Sequence, residues 1–214
     1  MDGTMLSLFA ASFVTFFVLI DAPGVAPIFA SLTAKGSAAY RRRMAIRATL
    51  VAALIIYAFA FGGAWLLDAM HISIDAFRAA GGILLFLIAL DMVFEKRTER
   101  RENRAEDMLP DEEGTEDDVS VFPIGIPMIA GPGTIATAML YMSNSTSVME
   151  KWVVLAALGA NLMLCLIIFL AAGPFVRLLG DSIVAALTRI LGVILAALSV
   201  QLLIDGIKGA FGLA

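Results

Sequence analysis

Long apolar runs alternate with short polar stretches along most of the chain. Six of these runs reach the length of about 20 residues that crosses roughly 30 Å of hydrocarbon. They lie at about 5–33, 44–67, 74–94, 119–142, 151–174 and 182–207. The pattern predicts an all-α membrane protein with six transmembrane helices.

The stretch 95–118 interrupts this pattern, because it carries many charges and almost no apolar residues. Such a composition cannot build a packed core, so we expect a disordered segment there. It divides the chain into a first unit, 1–94, and a second unit, 119–214, with three spans each. The segment is either a plain tether or a regulatory element.

The two units share features at matching positions. Pro23-Gly24 interrupts the first span and Pro132-Gly133 interrupts the fourth. The third and sixth spans both begin Arg-x-x-Gly-x-Ile-Leu, at Arg78 and Arg189, and the separation of these arginines nearly equals that of the two breaks. An odd number of spans per unit gives the two units opposite orientations, so we predict two inverted three-helix repeats. A chance similarity between apolar helices is the alternative.

Composition agrees with a membrane protein. Hydrophobic residues make up 60% of the 214 residues, against about 45–50% in soluble domains, and the mean hydropathy is +0.92. Cys165 is the only cysteine and His71 the only histidine, which excludes an internal disulfide and a multi-histidine metal site. We find no set of residues typical of an enzyme, a metal centre, a cofactor site or a nucleic-acid interface.

Lysine and arginine residues set the expected orientation. They concentrate in the links after spans one, three and five, which share one side of a six-span protein: Lys35, Arg41, Arg42, Arg43, Lys96, Arg97, Arg100, Arg101, Arg104 and Arg177. The positive-inside rule places that side in the cytoplasm. We therefore expect a bacterial inner-membrane protein with both termini outside and the linker 95–118 in the cytoplasm.

The two interruptions are the candidate chemistry of the chain. Asp21 is a suitable N-cap and Pro23 suits a first helical turn. In span four, Gly131 followed by Pro132 likewise indicates the start of a helix. A helix that restarts inside the membrane presents N–H groups and the positive end of its dipole, which suit a carboxylate. Glycines there let a ligand approach the backbone. The alternative is a pair of simple proline kinks.

The candidate substrate-binding residues lie at the breaks and on nearby turns: Asp21, Pro23, Gly24, Pro27, Gly131, Pro132, Gly133, Thr134, Thr137 and Asn161. An ionisable group such as Asp21 at this depth is a functional hypothesis by default, although it can also serve only as a cap. Asn161 either contacts substrate or joins helices through hydrogen bonds, and for Gln201 we favour the role of joining helices.

The segments 21–29 and 123–137 resemble the paired signatures of the MarC family of bacterial inner-membrane proteins. They read Asp21-Ala-Pro-Gly24-Val-Ala-Pro27-Ile-Phe29 and Pro123-Ile-Gly-Ile-Pro127-Met-Ile-Ala-Gly131-Pro132-Gly133-Thr-Ile135-Ala-Thr137. Family members often carry proline directly after the aspartate, where this chain has Ala22. The resemblance covers all six spans, and it implies a relation to LysE-type exporters, with small neutral amino acids as the substrates of some members.

We therefore expect a secondary transporter of small neutral amino acids or similar small solutes. Its partners would be a small-molecule substrate and the lipid bilayer, and a proton or sodium ion is a possible coupling cation; the oligomeric state is left open. An ion or small-solute channel is the second hypothesis, and single-channel conductance separates the two. A non-transporting assembly or stress protein is the third, marked by the absence of ligand binding.

The orientation can be tested with single cysteines in a Cys165→Ala background. Cysteines at Ser37 and Asn103 should be shielded from an impermeant thiol reagent in intact cells, and a cysteine at Asn144 should be labelled, because the basic links face the cytoplasm. The reverse labelling pattern would overturn the orientation.

Overall fold

The computed structural model describes residues 3–94 and 118–213. These residues form eight helical segments and no strand. In chain order we number them α1 Gly3–Ile20, α2 Ala22–Leu32, α3 Ala38–Ala69, α4 Ile74–Val93, α5 Ser120–Ile129, α6 Pro132–Asn144, α7 Val148–Leu170 and α8 Ala172–Phe211. The prediction of an all-α protein is confirmed for this part of the chain. The predicted linker 95–118 lies outside the described residues, apart from Asp118.

Five helical stretches within the described ranges are long and apolar enough to cross a membrane. They are α1 with α2, α3, α4, α7, and the part of α8 from Ser182 onward. The pair α5 and α6 makes a sixth if it is counted as one bent span. The six predicted spans therefore each have a counterpart. Serine side chains cap the starts of α3, α4 and α7, where Ser37, Ser73 and Ser147 each accept a backbone N–H bond.

The interruption of the first span is a single residue. Asp21 adopts φ 50° and ψ 49°, a left-handed conformation that aspartate tolerates better than most residues. Helical bonding continues on both sides, because the Asp21 N–H donates to Phe17 O and the Val25 N–H donates to Asp21 O, each at 3.0 Å. The span therefore stays continuous. The start of α2 leaves fewer backbone N–H groups unpaired than we expect for a half-helix that begins inside the membrane.

The interruption of the fourth span is larger. Phe122 and Ile126 have extended backbone angles inside α5, and each precedes a proline, which disfavours the helical conformation of the residue before it. The chain then turns by 56° between α5 and α6. Gly131 caps α6 with no side-chain hydrogen bond. The two breaks predicted from matching motifs thus differ in geometry.

Asp118 anchors the start of α5 to α3. Its carboxylate forms an ion pair with Arg47, and the hydrogen bond from the Ser120 hydroxyl lowers the pKa of the Asp118 carboxyl. Because both partners are about half exposed, this ion pair adds little to stability.

Glycines bring α4 and α8 together along their length. A Cβ added to Gly82 would lie 2.7 Å from the backbone nitrogen of Leu203, and one added to Gly192 would lie 2.8 Å from Cβ of Met92. Small residues of this kind let helix backbones approach closely in lipid. The contacts pair the start of α4 with the end of α8, so the two helices are antiparallel.

Other helix contacts also correspond between the two units. The contact of α1 with α7 corresponds to the contact of α5 with α3. Likewise, the contact of α2 with α8 corresponds to the contact of α6 with α4. These correspondences, with the antiparallel pair α4 and α8, are contacts that the predicted inverted repeat requires. The repeat itself stays a prediction.

Gly82→Ala should separate α4 from α8 and lower stability by about 1–3 kcal/mol, because the added methyl group meets backbone atoms that cannot rotate away. The matched control is Gly62→Ala in α3, where an added Cβ meets nothing within 4 Å. That change should be neutral or stabilising by up to about 1 kcal/mol through helix propensity. Thermal unfolding in detergent measures both, and equal midpoints would contradict the prediction.

Candidate functional site

The two breaks lie side by side in the structure. A Cβ on Gly133, in the first turn of α6, would lie 3.4 Å from Cδ2 of Leu19, which is two positions before Asp21. The same Cβ would lie 2.7 Å from Cδ1 of Ile88 and 3.2 Å from Cδ2 of Leu85 in α4. The end of α1, the start of α6 and the middle of α4 therefore meet at one place.

Asp21 is a buried carboxylate at this junction, with 1% of its surface exposed. Its Oδ1 accepts the Gly24 N–H at 3.3 Å, which caps α2, and accepts the Thr188 hydroxyl of α8 at 3.5 Å. Thr188 did not enter the list of candidates drawn from the sequence. Its one sequence signal is its position directly before Arg189, the residue that opens the repeated motif of the sixth span.

Atoms of the protein itself occupy the space beside the break glycines. A Cβ on Gly24 would lie 2.4 Å from Oδ2 of Asp21, and one on Gly131 would lie 2.9 Å from Pro127 O. Gly24 therefore makes room for the Asp21 carboxylate, and Gly133 makes room for Leu19 and α4. The expectation that a ligand approaches the backbone at these glycines stays a prediction.

A cavity of about 130 Å³ lies beside the junction, between α1, α4, α6 and α8. We call it the threonine cavity. Its polar lining consists of Thr15, Thr137, Tyr141, Asn144 and Gln201, and leucines complete the wall: Leu85, Leu140, Leu198 and Leu202. Leu85 also contacts the Gly133 position. The α6 residues of the lining run from Thr137 to Asn144, the last residue of that helix.

Thr137 carries the most informative atom of this cavity. Its side chain is 1% exposed, and its hydroxyl oxygen has no hydrogen-bond partner. Burial of an unpartnered hydroxyl costs about 1–3 kcal/mol, so a polar group that enters the cavity would recover that free energy. By contrast, the Thr15 hydroxyl is paired, 3.1 Å from the Tyr141 hydroxyl.

The remaining candidate residues divide between the junction and the helix contacts. Asn161 donates both amide hydrogens, to Phe13 O and to Ala157 O, each at 3.0 Å, so it joins α7 to α1 in this structure. Thr134 and Pro23 are buried near the breaks, Pro27 and Gly131 are half-buried, and Pro132 is exposed. Tyr141 and Leu85 line the cavity, but the sequence did not indicate them as candidate site residues.

A family model described as MarC family integral membrane protein matches residues 6–211. The chain is a member of the MarC family. A UPF0056 membrane protein of Archaeoglobus fulgidus is 36% identical over 203 residues, with coverage of 94% of this chain and 93% of that protein. UPF0056 membrane protein YhcE of Escherichia coli is 33% identical over 199 residues, which cover 93% and 91%. No solved structure matches this MarC-family chain. Family and helices together show an integral multi-pass membrane protein.

Thr137→Val should leave this MarC-family protein at least as stable as the parent, because it removes a buried hydroxyl that has no partner. The matched control is Thr49→Val in α3, where the lost hydroxyl donates to Ala45 O at 2.9 Å. That control should lose about 1 kcal/mol. Thermal unfolding midpoints in detergent compare the two variants, and a larger loss in Thr137→Val would show that its hydroxyl is paired.

Proposed function

We propose that the protein is a secondary transporter of small neutral amino acids or similar small solutes in a bacterial inner membrane. The observation that carries the proposal is the unpartnered hydroxyl of Thr137, a residue that lines the threonine cavity about one turn beyond Gly133. A buried polar atom that lacks a partner, on a residue that lines a cavity near a break in a span, is the arrangement expected at a solute site.

The size of the threonine cavity favours a small solute. A cavity of about 150 Å³ holds benzene, a molecule of six heavy atoms, so about 130 Å³ suits a solute of roughly five or six heavy atoms. Glycine and alanine are in this range, and serine is one heavy atom larger. The leucine walls leave room for short side chains only.

The start of α6 supplies a partner for a carboxylate. Gly131 provides no side-chain cap there, and the first turn of a helix presents N–H groups and the positive end of the dipole. Thr137 lies about one turn beyond Gly133 along α6. We assign the carboxylate of the solute to the start of α6 and a second polar group to Thr137.

Asp21 is assigned to the coupling cation, a proton or a sodium ion. Asp21 is buried and is not among the residues that line the threonine cavity. Ionisable side chains within membrane spans mark ion pathways and proton relays. Because Asp21 also caps α2, cation binding there acts directly on the backbone geometry of the first break.

The test is flux of labelled glycine, alanine and serine in proteoliposomes that contain the purified full-length protein. We expect solute exchange without an ion gradient and accumulation with a proton or sodium gradient. Thr137→Val should weaken solute affinity by roughly tenfold, the effect of losing about 1.4 kcal/mol of hydrogen bonding. Thr49→Val serves as the matched control and should transport normally.

Asp21→Asn should keep exchange and lose gradient-driven accumulation, because the amide retains the cap and removes the charge. The same accumulation in Asp21→Asn and in the parent would remove Asp21 from coupling. Steady single-channel currents in planar bilayers would instead support a channel, and flux of none of the three amino acids would refute the proposed substrate class.

A further inference from the structure

The threonine cavity has a buried end and an exposed end. Leu85 and Thr137 lie at the buried end, with 0% and 1% of their surfaces exposed. Asn144, the last residue of α6, and Gln201 of α8 are exposed lining residues, and both carry amide side chains. We call the exposed end formed by Asn144 and Gln201 the amide mouth. A solute that enters from outside the protein meets this end of the cavity first.

The amide of Asn144 is bonded to a cation. Arg78, which opens the repeated motif of the third span, donates from Nη2 to Oδ1 of Asn144. It also donates from Nη1 to Oδ1 of Asp75 at 2.9 Å. The Asp75 carboxylate lies against Gly209 of α8, where an added Cβ would collide with it. Asp75 therefore fixes one side of the guanidinium on the helix pair α4 and α8, and the other side reaches the mouth.

The amide of Gln201 is bonded to an anion. Its Nε2 donates to Oδ1 of Asp205, one turn later on α8, at 2.9 Å. Asp205 is half-buried, and neither Asp205 nor Arg78 belongs to the cavity lining. Each amide of the mouth is thus bonded to one charged side chain just outside the lining, and the two charges have opposite signs.

Close packing of α4 on α8 brings these two charges to the same level. A Cβ on Gly206 would lie 2.6 Å from the backbone nitrogen of Ala79. Gly206 directly follows Asp205, and Ala79 directly follows Arg78. A cation and an anion therefore lie at the same level of the helix pair, at the amide mouth.

An ionised partner would bind each of these charges more strongly than an amide does. A carboxylate is a better acceptor for a guanidinium than an amide oxygen, and an ammonium group is a better donor to a carboxylate than an amide N–H, because both partners are then ionised. Asn144 and Gln201 are exposed, so their amides can bond to water instead. A solute with both charges gains two such ion pairs, and a solute with one charge gains one.

We propose that the amide mouth is a recognition site for the zwitterion of a small α-amino acid, in which Arg78 binds the carboxylate and Asp205 binds the ammonium group. Asn144 and Gln201 give up these partners when the amino acid binds. The inference rests on the proposed transport function and narrows its substrate class from small solutes in general to zwitterions. Thr137 lies about two turns deeper along α6, on the path from the mouth towards the start of that helix.

The test compares glycine, propionate, glycinamide and propionamide, which match in heavy atoms and differ in the charged groups that they carry. Leu202→Cys, in the cavity wall, is the reporter, in a Cys165→Ala background of the full-length protein in nanodiscs. Protection of this cysteine from a small uncharged thiol reagent measures occupation of the mouth. We expect glycine to protect at a concentration roughly tenfold lower than propionate or glycinamide, the effect of one hydrogen bond to a charged group. Propionamide should protect least.

The two charges are separated by variants that keep the size of the side chain. Arg78→Gln should remove the preference for glycine over glycinamide, because the carboxylate loses its partner, and should keep the preference over propionate. Asp205→Asn should do the opposite. Lys208→Gln is the matched control: it removes a positive charge from an exposed side chain of α8 outside the cavity lining, and should change neither preference.

A merely structural role of Arg78 predicts a different result in a conservative variant. Arg78→Lys keeps the charge and should recover part of the preference for glycine over glycinamide. Lysine lacks the planar fork that spans Asp75 and Asn144, so a structural bridge would not be recovered. Arg78→Lys that behaves as Arg78→Gln would overturn the assignment of the carboxylate to Arg78.

Asn144→Ala tests the exchange of partners. It should leave protection by glycine at least as strong as in the parent, because the solute carboxylate takes the place of the amide. A loss as large as that in Arg78→Gln would overturn the exchange.

The outcomes separate the mouth from the proposed transport. Equal protection by the four solutes, or protection by none of them, would overturn the recognition site even if amino acids cross the membrane in proteoliposomes. A preference for glycine that follows Arg78 and Asp205, without flux of any amino acid, would support the recognition site and refute the transport function.

Discussion

Backbone hydrogen bonding inside the hydrocarbon layer is the constraint on which this structure depends. Each N–H and C=O group there needs a partner within the protein, yet the chain interrupts two of its spans. At the first interruption one aspartate resolves the conflict, since Asp21 takes the left-handed conformation and its side chain accepts the Gly24 N–H. At the second, the chain turns between α5 and α6, and no side chain caps the new helix. The two breaks therefore differ in what they leave available to a solute.

Close packing of glycines holds these interruptions in place. Lipid offers no hydrophobic drive for helices to associate, so backbone approach through small residues carries much of the attraction. Gly82, Gly192 and Gly206 bring α4 and α8 together in this way. The middle of α4 then contacts the start of α6, while α8 brings Thr188 to Asp21. One helix pair thus supports both breaks from the same side.

The polar groups near the breaks fall into two classes. Asp21, Thr15 and Asn161 have hydrogen-bond partners within the protein, and they fix the relative positions of helices. The Thr137 hydroxyl has none in a cavity walled by leucines. An unpaired buried hydroxyl reduces stability, and in the proposed transporter a solute would supply its partner. In the proposed transporter, rigidity and binding are thus assigned to different residues of the same small region.

The sequence alone determined the spans, the positions of both interruptions and the family. Hydropathy acts over about 20 neighbouring residues, and proline, glycine and aspartate act on the backbone where they stand, so these features need no knowledge of distant contacts. The pairing of Asp21 with Thr188, the partners of Asn161 and the walls of the threonine cavity were decided by tertiary structure. In helices that are apolar on all sides, the sequence pattern gives little indication of which face packs inside the protein. Their rotation is set by the packing of all the helices together, which is why the residues that meet at the site became visible only in the folded protein.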